Sequence, residues 1–338
     1  MKNLLGFAVP AALTAAAIVV GSAWLSGGAS GAPAATARTP RTGVAIVNTD
    51  LEGGGGTAAG TGIVLTASGD VLTNNHVIRG ATSIHVTTGN GHTYAASVRG
   101  YSVSKDIALI KLSGAHGLST ATIGDSNEVR VGQAVTAVGN AGGSGSLTVV
   151  TGRITDTGRV ISVTDGEGNT ARLTDMIETS APLEPGDSGG PLLLAGRVIG
   201  IDAAGPRGFQ FESGSDGYAI PVATAVSISR QVQSGRRSST VHIGPTAFLG
   251  VALEPQDSES GQTGALVGQV VSGSPADRAG IEAGDLLTAI AGRTVASRAT
   301  VRNVLLQTAP GQRIKVRWLD RFGKSRAATV RPVSGPPQ

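Results

Sequence analysis

The sequence predicts a mainly β protein. Residues 61 to about 163 alternate short apolar segments with turn signals such as Ser68-Gly69-Asp70, Gly89-Asn90-Gly91 and Gly139-Asn140-Ala141-Gly142-Gly143. That is the strand spacing of an all-β barrel. Helical periodicity is weak over the same stretch. Aromatic residues make up 3% of the chain against 40% hydrophobic residues in all, so the cores must be built from Val, Ile, Leu and Ala. Such residues suit many short strands joined by turns, which the chain's 51 glycines supply. At 338 residues there is room for about two domains, each with its own core.

The elements follow in order. Residues 1–34 read as a signal peptide or a membrane anchor: Lys2 is a positive end, residues 4–20 are uncharged and mostly apolar, and small residues follow at Gly21-Ser22-Ala23 and Ala32-Pro33-Ala34. Residues 4–25 would also suffice for a bilayer span. Pro10 and the many alanines weaken such a span and favour cleavage, expected after Ala34. Either version exports the chain, to the cell envelope or beyond. Residues 35–42 read as a flexible segment, and Gly43-Val44-Ala45-Ile46-Val47 as the first strand. The apolar residues around Asn74-Asn75-His76-Val77 place a strand end entering a turn or short helix. Asp106 opens a buried apolar strand, Ile107-Ala108-Leu109-Ile110-Lys111-Leu112. A helix is expected through Ile228 and Val232, and Ser234-Gly235-Arg236-Arg237-Ser238-Ser239-Thr240 reads as an exposed linker open to proteolytic nicking.

Chemistry concentrates in Gly186-Asp187-Ser188-Gly189-Gly190-Pro191, ahead of the apolar run Leu192-Leu193-Leu194. A hydroxyl is a poor nucleophile at neutral pH. A catalytic serine therefore needs a base within hydrogen-bond reach and backbone donors aimed at the oxygen that becomes negative. The glycines allow unusual dihedrals and a close approach of substrate, which makes the N–H groups of Gly186 and Ser188 candidates for an oxyanion hole. Taken alone, such a tetrapeptide is also an ordinary turn. His76 offers the general base. Asp106 needs a partner, because an unpaired buried charge is costly, and an imidazole N–H would fit and fix the tautomer that a base requires.

The order His76, Asp106, Ser188 in these local sequences resembles the trypsin-like serine proteases. More narrowly it resembles the HtrA family, whose members carry Thr-Asn-x-His-Val, Asp-Ile/Val-Ala-Leu/Val and Gly-Asn/Asp-Ser-Gly-Gly segments followed by a PDZ domain. The similarity covers roughly residues 43–333. The resemblance implies a trypsin-like double β-barrel protease domain over 43–232, a linker over 233–245 and a PDZ domain, an α+β partly open barrel, over 246–333. It implies an exported serine endopeptidase acting on unfolded or damaged polypeptides through His76, Asp106 and Ser188. Phe248, Leu249, Gly250 and Val251 match the loop with which PDZ domains capture the carboxylate of hydrophobic C-terminal peptides while the peptide adds a strand to the sheet edge. Ser272-Gly273-Ser274-Pro275-Ala276 and the segment from Ala279 to Leu287 match internal PDZ motifs, and Ser297 would cap a helix over residues 300–306. A reading of another class stays open: a chaperone-like peptide-binding scaffold whose protease site is latent.

The trypsin-like arrangement takes the base of its specificity pocket from about six residues before the nucleophile, here Pro182. Its walls come from the strand Asp202-Ala203-Ala204-Gly205 and from residues 217–221. With no acid at the base, a cationic side chain would be buried unpaired, so small or medium aliphatic residues such as Val, Ala or Leu are expected on the acyl side of the cut. Asp202 is near enough in sequence to bear on this unless it faces solvent. Many HtrA relatives have Asn before the serine, whereas this chain has Asp187, as the digestive and clotting branch does. A carboxylate under the oxyanion loop needs a counter-charge to stay ionised, which a free amine or an arginine could supply. HtrA relatives often form trimers through amino-terminal aromatic packing, but no aromatic lies between Trp24 and Tyr94, which leaves the oligomeric state open.

Several classes are excluded. The chain has no cysteine, so thiol catalysis, disulfides and cysteine-ligated zinc fall away. A net charge of +4 on a chain with only 15% charged residues, without a long basic run interleaved with aromatics, does not imply nucleic acid. His85, His92, His116 and His242 lack a carboxylate or histidine at ligand spacing, so surface or turn positions are expected and no metal. The run Gly53-Gly54-Gly55-Gly56 lacks the Gly-Lys-Ser/Thr ending of a phosphate loop and implies no cofactor.

Overall fold

The computed structural model describes residues 40–51, 56–164, 170–203, 210–211, 217–254 and 263–338. The targeting segment, Gly53 to Gly55, and the expected pocket residues Ala204 and Gly205 lie outside the described residues.

A first barrel is formed by β1 (Val44–Leu51), β2 (Thr57–Val64), β3 (Asp70–Thr73), β4 (Ala81–Thr88), β5 (Thr93–Ser102) and β6 (Ile107–Leu112), with the one-turn helix α1 (Asn75–Ile78) between β3 and β4. The strand order β5-β4-β1-β2-β3-β6 closes because β6 pairs back on β5. Alternation explains why a strand buried on both faces, such as β6, is nearly all apolar, while β4 and β5 mix apolar and polar residues. In β6, Ala108, Ile110 and Leu112 fill the barrel's own core, while Ile107 and Leu109 face a second core shared with the next barrel. Val71 and Leu72 of β3 divide in the same way.

The second barrel comprises β7 (Ala134–Gly139), β8 (Thr148–Thr164), β9 (Thr170–Thr179), β10 (Pro191–Leu194), β11 (Arg197–Asp202), β12 (Gln210–Phe211) and β13 (Gly217–Pro221). The order β8-β7-β10-β11-β13-β9 closes through β8–β9, and β12 adds to β8. Helix α2 (Val222–Gln233) follows, and its stripe Val222, Ala225, Ile228, Val232 packs into the shared core at helical spacing.

After α2 the structure departs from the expected linker over residues 233–245 only from Val241 onward. Residues 234–240 are exposed, but β14 (His242–Ile243) then pairs with Tyr101 and Gly100 of β5. The reason lies in Gly100: a Cβ there would sit 2.5 Å from the His242 carbonyl oxygen and 2.9 Å from the Val232 side chain. Its absence opens the seat for β14. His242 is accordingly 4% exposed, against the surface position expected of it, with its ring 5.0 Å from that of Tyr101 and its nitrogens 2.8 Å from Leu306 O and 3.0 Å from Gly244 O. His85, His92 and His116 are exposed.

The remaining chain forms β15 (Thr246–Phe248), β16 (Val251–Leu253), β17 (Ala265–Val270), α3 (Pro275–Arg278), β18 (Leu286–Ile290), β19 (Arg293–Thr294), α4 (Arg298–Leu306), β20 (Ile314–Leu319), β21 (Ser325–Val330) and β22 (Val333–Gly335). Its main sheet runs β16-β17-β18-β20-β21 with β19 on β18, while β15 pairs with β22 alone. Val267, Leu287, Val301, Val304 and Trp318 belong to one separate core. Ser297 caps α4 by accepting from Thr300 N–H at 3.4 Å. Gly100→Ala should unseat β14. We expect a destabilisation of about 1–3 kcal/mol and faster tryptic cleavage after Arg236 and Arg237, read by thermal melting and timed digestion.

Candidate active site

Helix α1 delivers His76 directly out of the barrel strand β3. Its backbone N–H donates to Asp106 Oδ1 at 2.9 Å, and its Nδ1 lies 2.7 Å from Asp106 Oδ2. A carboxylate oxygen only accepts, so Nδ1 carries the proton and Nε2 keeps the lone pair a base needs. Asp106 has φ +51, a strained conformation for a non-glycine residue. Four hydrogen bonds compensate, since Asn74 Nδ2 also donates to the Asp106 carbonyl at 2.8 Å and Asp106 N–H donates to Val103 O at 3.3 Å. Asn74 and Asp106 are both buried, so these polar atoms have each other in place of water.

Ser188 sits in a turn between β9 and β10, and the turn is tied to both barrels. Gly186 has φ +105 and Gly189 φ +85. A side chain at Gly186 would strike Asn140 O, and one at Gly189 would strike Thr61 O, so glycine is required twice over. Thr61 of β2 donates from its N–H to Ser188 O at 2.8 Å and from Oγ1 to Gly186 O at 2.7 Å. Asn140 N–H in turn donates to Thr61 Oγ1 at 2.9 Å. A Cβ on Gly60 would meet the Val77 side chain and Ser188 O together, so the strand that holds the serine also abuts the residue after His76. Gly186 N–H has no acceptor among the described residues, as an oxyanion donor requires. Thr61 and Asn140 were not foreseen. The glycines flanking Thr61 were the available signal.

Behind the turn lies a pair of buried acids. Asp187 Oδ2 accepts from Glu184 N–H at 2.9 Å, while its Oδ1 has no partner among the described residues. Asp202 is fully buried rather than facing solvent, and neither of its carboxyl oxygens has a described partner. Its backbone is well used: Gly189 N–H donates to Asp202 O and Asp202 N–H to Gly190 O, both at 2.8 Å. No basic side chain among the described residues supplies the counter-charge expected for Asp187. Burial instead pushes its carboxyl up, and burial together with the neighbouring Asp187 pushes Asp202 well up. Both acids thus hold protons more tightly folded than unfolded. Their stabilisation is full below the ordinary carboxylate range and declines as pH rises from there through the raised values. Asp202→Asn, which cannot ionise, should gain thermal stability on the parent as pH goes from 4 to 8. A constant difference in melting temperature across that range would remove Asp202 from the account.

Of the expected pocket residues, Ala203 is buried, its N–H bonded to Tyr218 O at 2.8 Å, but Pro182 is exposed. Leu183 lies where a Gly217 side chain would be. In the last domain, Leu249 and Gly250 join β15 to β16, Gly250 with φ +87 against Ser274. β16 ends its sheet and pairs with β17 on one side among the described residues.

The likeness to known proteins agrees with this geometry. The family model of a trypsin-like peptidase domain matches residues 60–201, and that of a PDZ domain matches residues 247–331. The serine protease Do-like HtrA of Lactococcus lactis is 33% identical over 288 residues, covering 80% of this chain and 70% of the relative. A probable periplasmic serine endoprotease DegP-like from Chlamydia trachomatis is 36% identical over 280 residues, covering 79% of this chain and 52% of the relative. The chain thus spans about half the length of the chlamydial relatives it matches. The solved structure of the HtrA-type protease AlgW with a tripeptide is 29% identical, with a TM-score of 0.50 over 88% of this chain and 95% of that one. With a trypsin-like peptidase domain followed by a PDZ domain, the chain belongs to the HtrA family of serine proteases.

Proposed function

We propose that the chain is an exported serine endopeptidase that hydrolyses peptide bonds of unfolded or damaged polypeptides, with a PDZ groove for hydrophobic C-terminal peptides. The observation that carries this reading is the pair of bonds from His76 to the Asp106 carboxylate, at 2.9 and 2.7 Å, on the same barrel whose β2 holds the Ser188 turn. Ser188 Oγ attacks the peptide carbonyl while His76 Nε2 takes its proton. The Gly186 and Ser188 N–H groups stabilise the oxyanion, and His76 returns the proton to the leaving amine. Water, deprotonated by the same imidazole, then cleaves the acyl-enzyme. Asp106 holds the imidazole in its tautomer and stabilises the charge it gains.

Export is supported by the relatives named periplasmic, and by the apolar amino terminus. Among the described residues no helix is long and apolar enough to cross a membrane. Peptide capture is supported by the edge position of β16 next to the Leu249-Gly250 connection. A preference for Val, Ala or Leu on the acyl side is supported by Leu183 against Gly217, the buried Ala203, and the Asp202 carboxyl that burial pushes toward its neutral form.

Labelling by a fluorophosphonate should occur in the parent and vanish in Ser188→Ala. Asp106→Asn should lower kcat by about 10⁴-fold with the fold retained by circular dichroism. A labelled Ser188→Ala protein would refute the assignment, and an unlabelled parent would favour the scaffold reading. Peptides with Val at the cut should turn over at least about tenfold faster than those with Arg, since an unpaired buried cation is penalised by several kcal/mol; comparable rates would overturn the pocket.

A further inference from the structure

Residues 336–338, which follow β22, run back onto the first barrel at the helix that carries His76. Gly80 N–H donates to Pro337 O at 2.8 Å, Asn75 Nδ2 to Gln338 O at 3.0 Å, and Gln338 N–H to Tyr101 Oη at 3.2 Å. These bonds bracket α1, since Asn75 is its first residue and Gly80 lies two past its last, Ile78. Pro337 is buried, Asn75 is 3% exposed and Tyr101 is wholly buried, while Pro336 and Gln338 are half-buried, so the contact is largely shielded from water. A single turn has no stability of its own, and α1 also lacks a side-chain cap. Its seating is therefore set by its surroundings: the Asp106 carboxylate, Thr49 Oγ1 donating to Val77 O at 3.3 Å, Val77 and Ile78 in the barrel core, and residues 336–338. The proline pair brings those carbonyls to α1 with little chain entropy to lose. Tyr101 Oη also lies 2.8 Å from Thr246 Oγ1, and Thr246 pairs with Gly335, so the segment leaves directly from the strand pair β15–β22. That pair opens the Phe248-Leu249-Gly250-Val251 loop at its other end.

We propose that residues 336–338 are a positioning segment for His76. They hold α1 in the register that lets His76 reach Asp106, and they make the seating of the general base depend on the PDZ strand pair. This rests on the reading of His76 as that base. Proton transfer tolerates displacements of only a few tenths of an ångström, so a loosened α1 lowers turnover without touching substrate binding.

The test compares the parent with a chain ending at Gly335, which keeps β22 whole, with Asn75→Ala, and with the two combined. Each change should lower kcat about tenfold with KM within about twofold of the parent. The combined variant should lose no more than either alone, because both remove one hold. Independently of turnover, the low-field proton resonance of His76 Nδ1–H, assigned by its loss in His76→Ala, should shift or broaden in all three. A parent that hydrolyses nothing would thus count against the protease reading while the resonance still decides this one. An unchanged resonance in the chain ending at Gly335, or strictly additive losses in kcat, would overturn the proposal. If that chain does not fold, Tyr101→Phe, which removes the acceptor for Gln338 N–H and keeps the ring, must move the same resonance, and its failure to do so would equally sink the idea.

Discussion

Thr61 is where the two barrels are held in register with each other. Its N–H and Oγ1 satisfy the carbonyls of Ser188 and Gly186, its Oγ1 accepts from Asn140 N–H, and its own carbonyl accepts from Thr73 Oγ1 at 2.7 Å. The residue has no exposure, so none of these groups can fall back on water. A buried polar group left unpaired costs about 1–3 kcal/mol, and several would be orphaned together if β2 moved. The position of the Ser188 turn is therefore dictated by a strand of the other barrel. That same strand packs its Gly60 against Val77, next to His76.

The site is assembled from contacts that are distant along the chain. Thr61 and Gly186 are 125 residues apart, and Asn75 and Gln338 are 263 apart. Closing such loops carries an entropic cost that grows with their length, and the bonds that offset it exist only when every partner is in place. The geometry of His76 and Ser188 is thus a property of the folded whole. The site also carries strain in the left-handed Asp106, which its hydrogen bonds keep in place, whereas the turn around Ser188 takes its positive φ at Gly186 and Gly189, where glycine bears it without strain.

Much of this was legible in the chain because it is local. The alternation in β6, the apolar stripe of α2, the Ser297 cap and the glycine-flanked serine all depend on neighbours within a few residues, and each is found where its pattern put it. What was missed is non-local. β14 has two residues, too few for any period, and its place follows from the missing side chain at Gly100 in another strand. Asp202 reads as an ordinary acid after an apolar strand, and its burial depends on the turn folded over it. Pro182, counted from the serine by analogy, is exposed because Leu183 next to it takes the inward position.

The sequence by itself determined the class of fold and the family, and it singled out the three side chains proposed for acyl transfer, because strand periodicity and short glycine-rich motifs are written in consecutive residues. The tertiary structure alone decided which groups surround those side chains: Thr61 and Asn140 at the Ser188 turn, a protonation-prone acid pair behind it, and residues 336–338 on the histidine helix. Hydrogen bonds between backbone groups and buried side chains leave no compositional trace. Their partners are chosen by the packing of barrels and strands, and no pattern along the chain records which carbonyl will meet which donor.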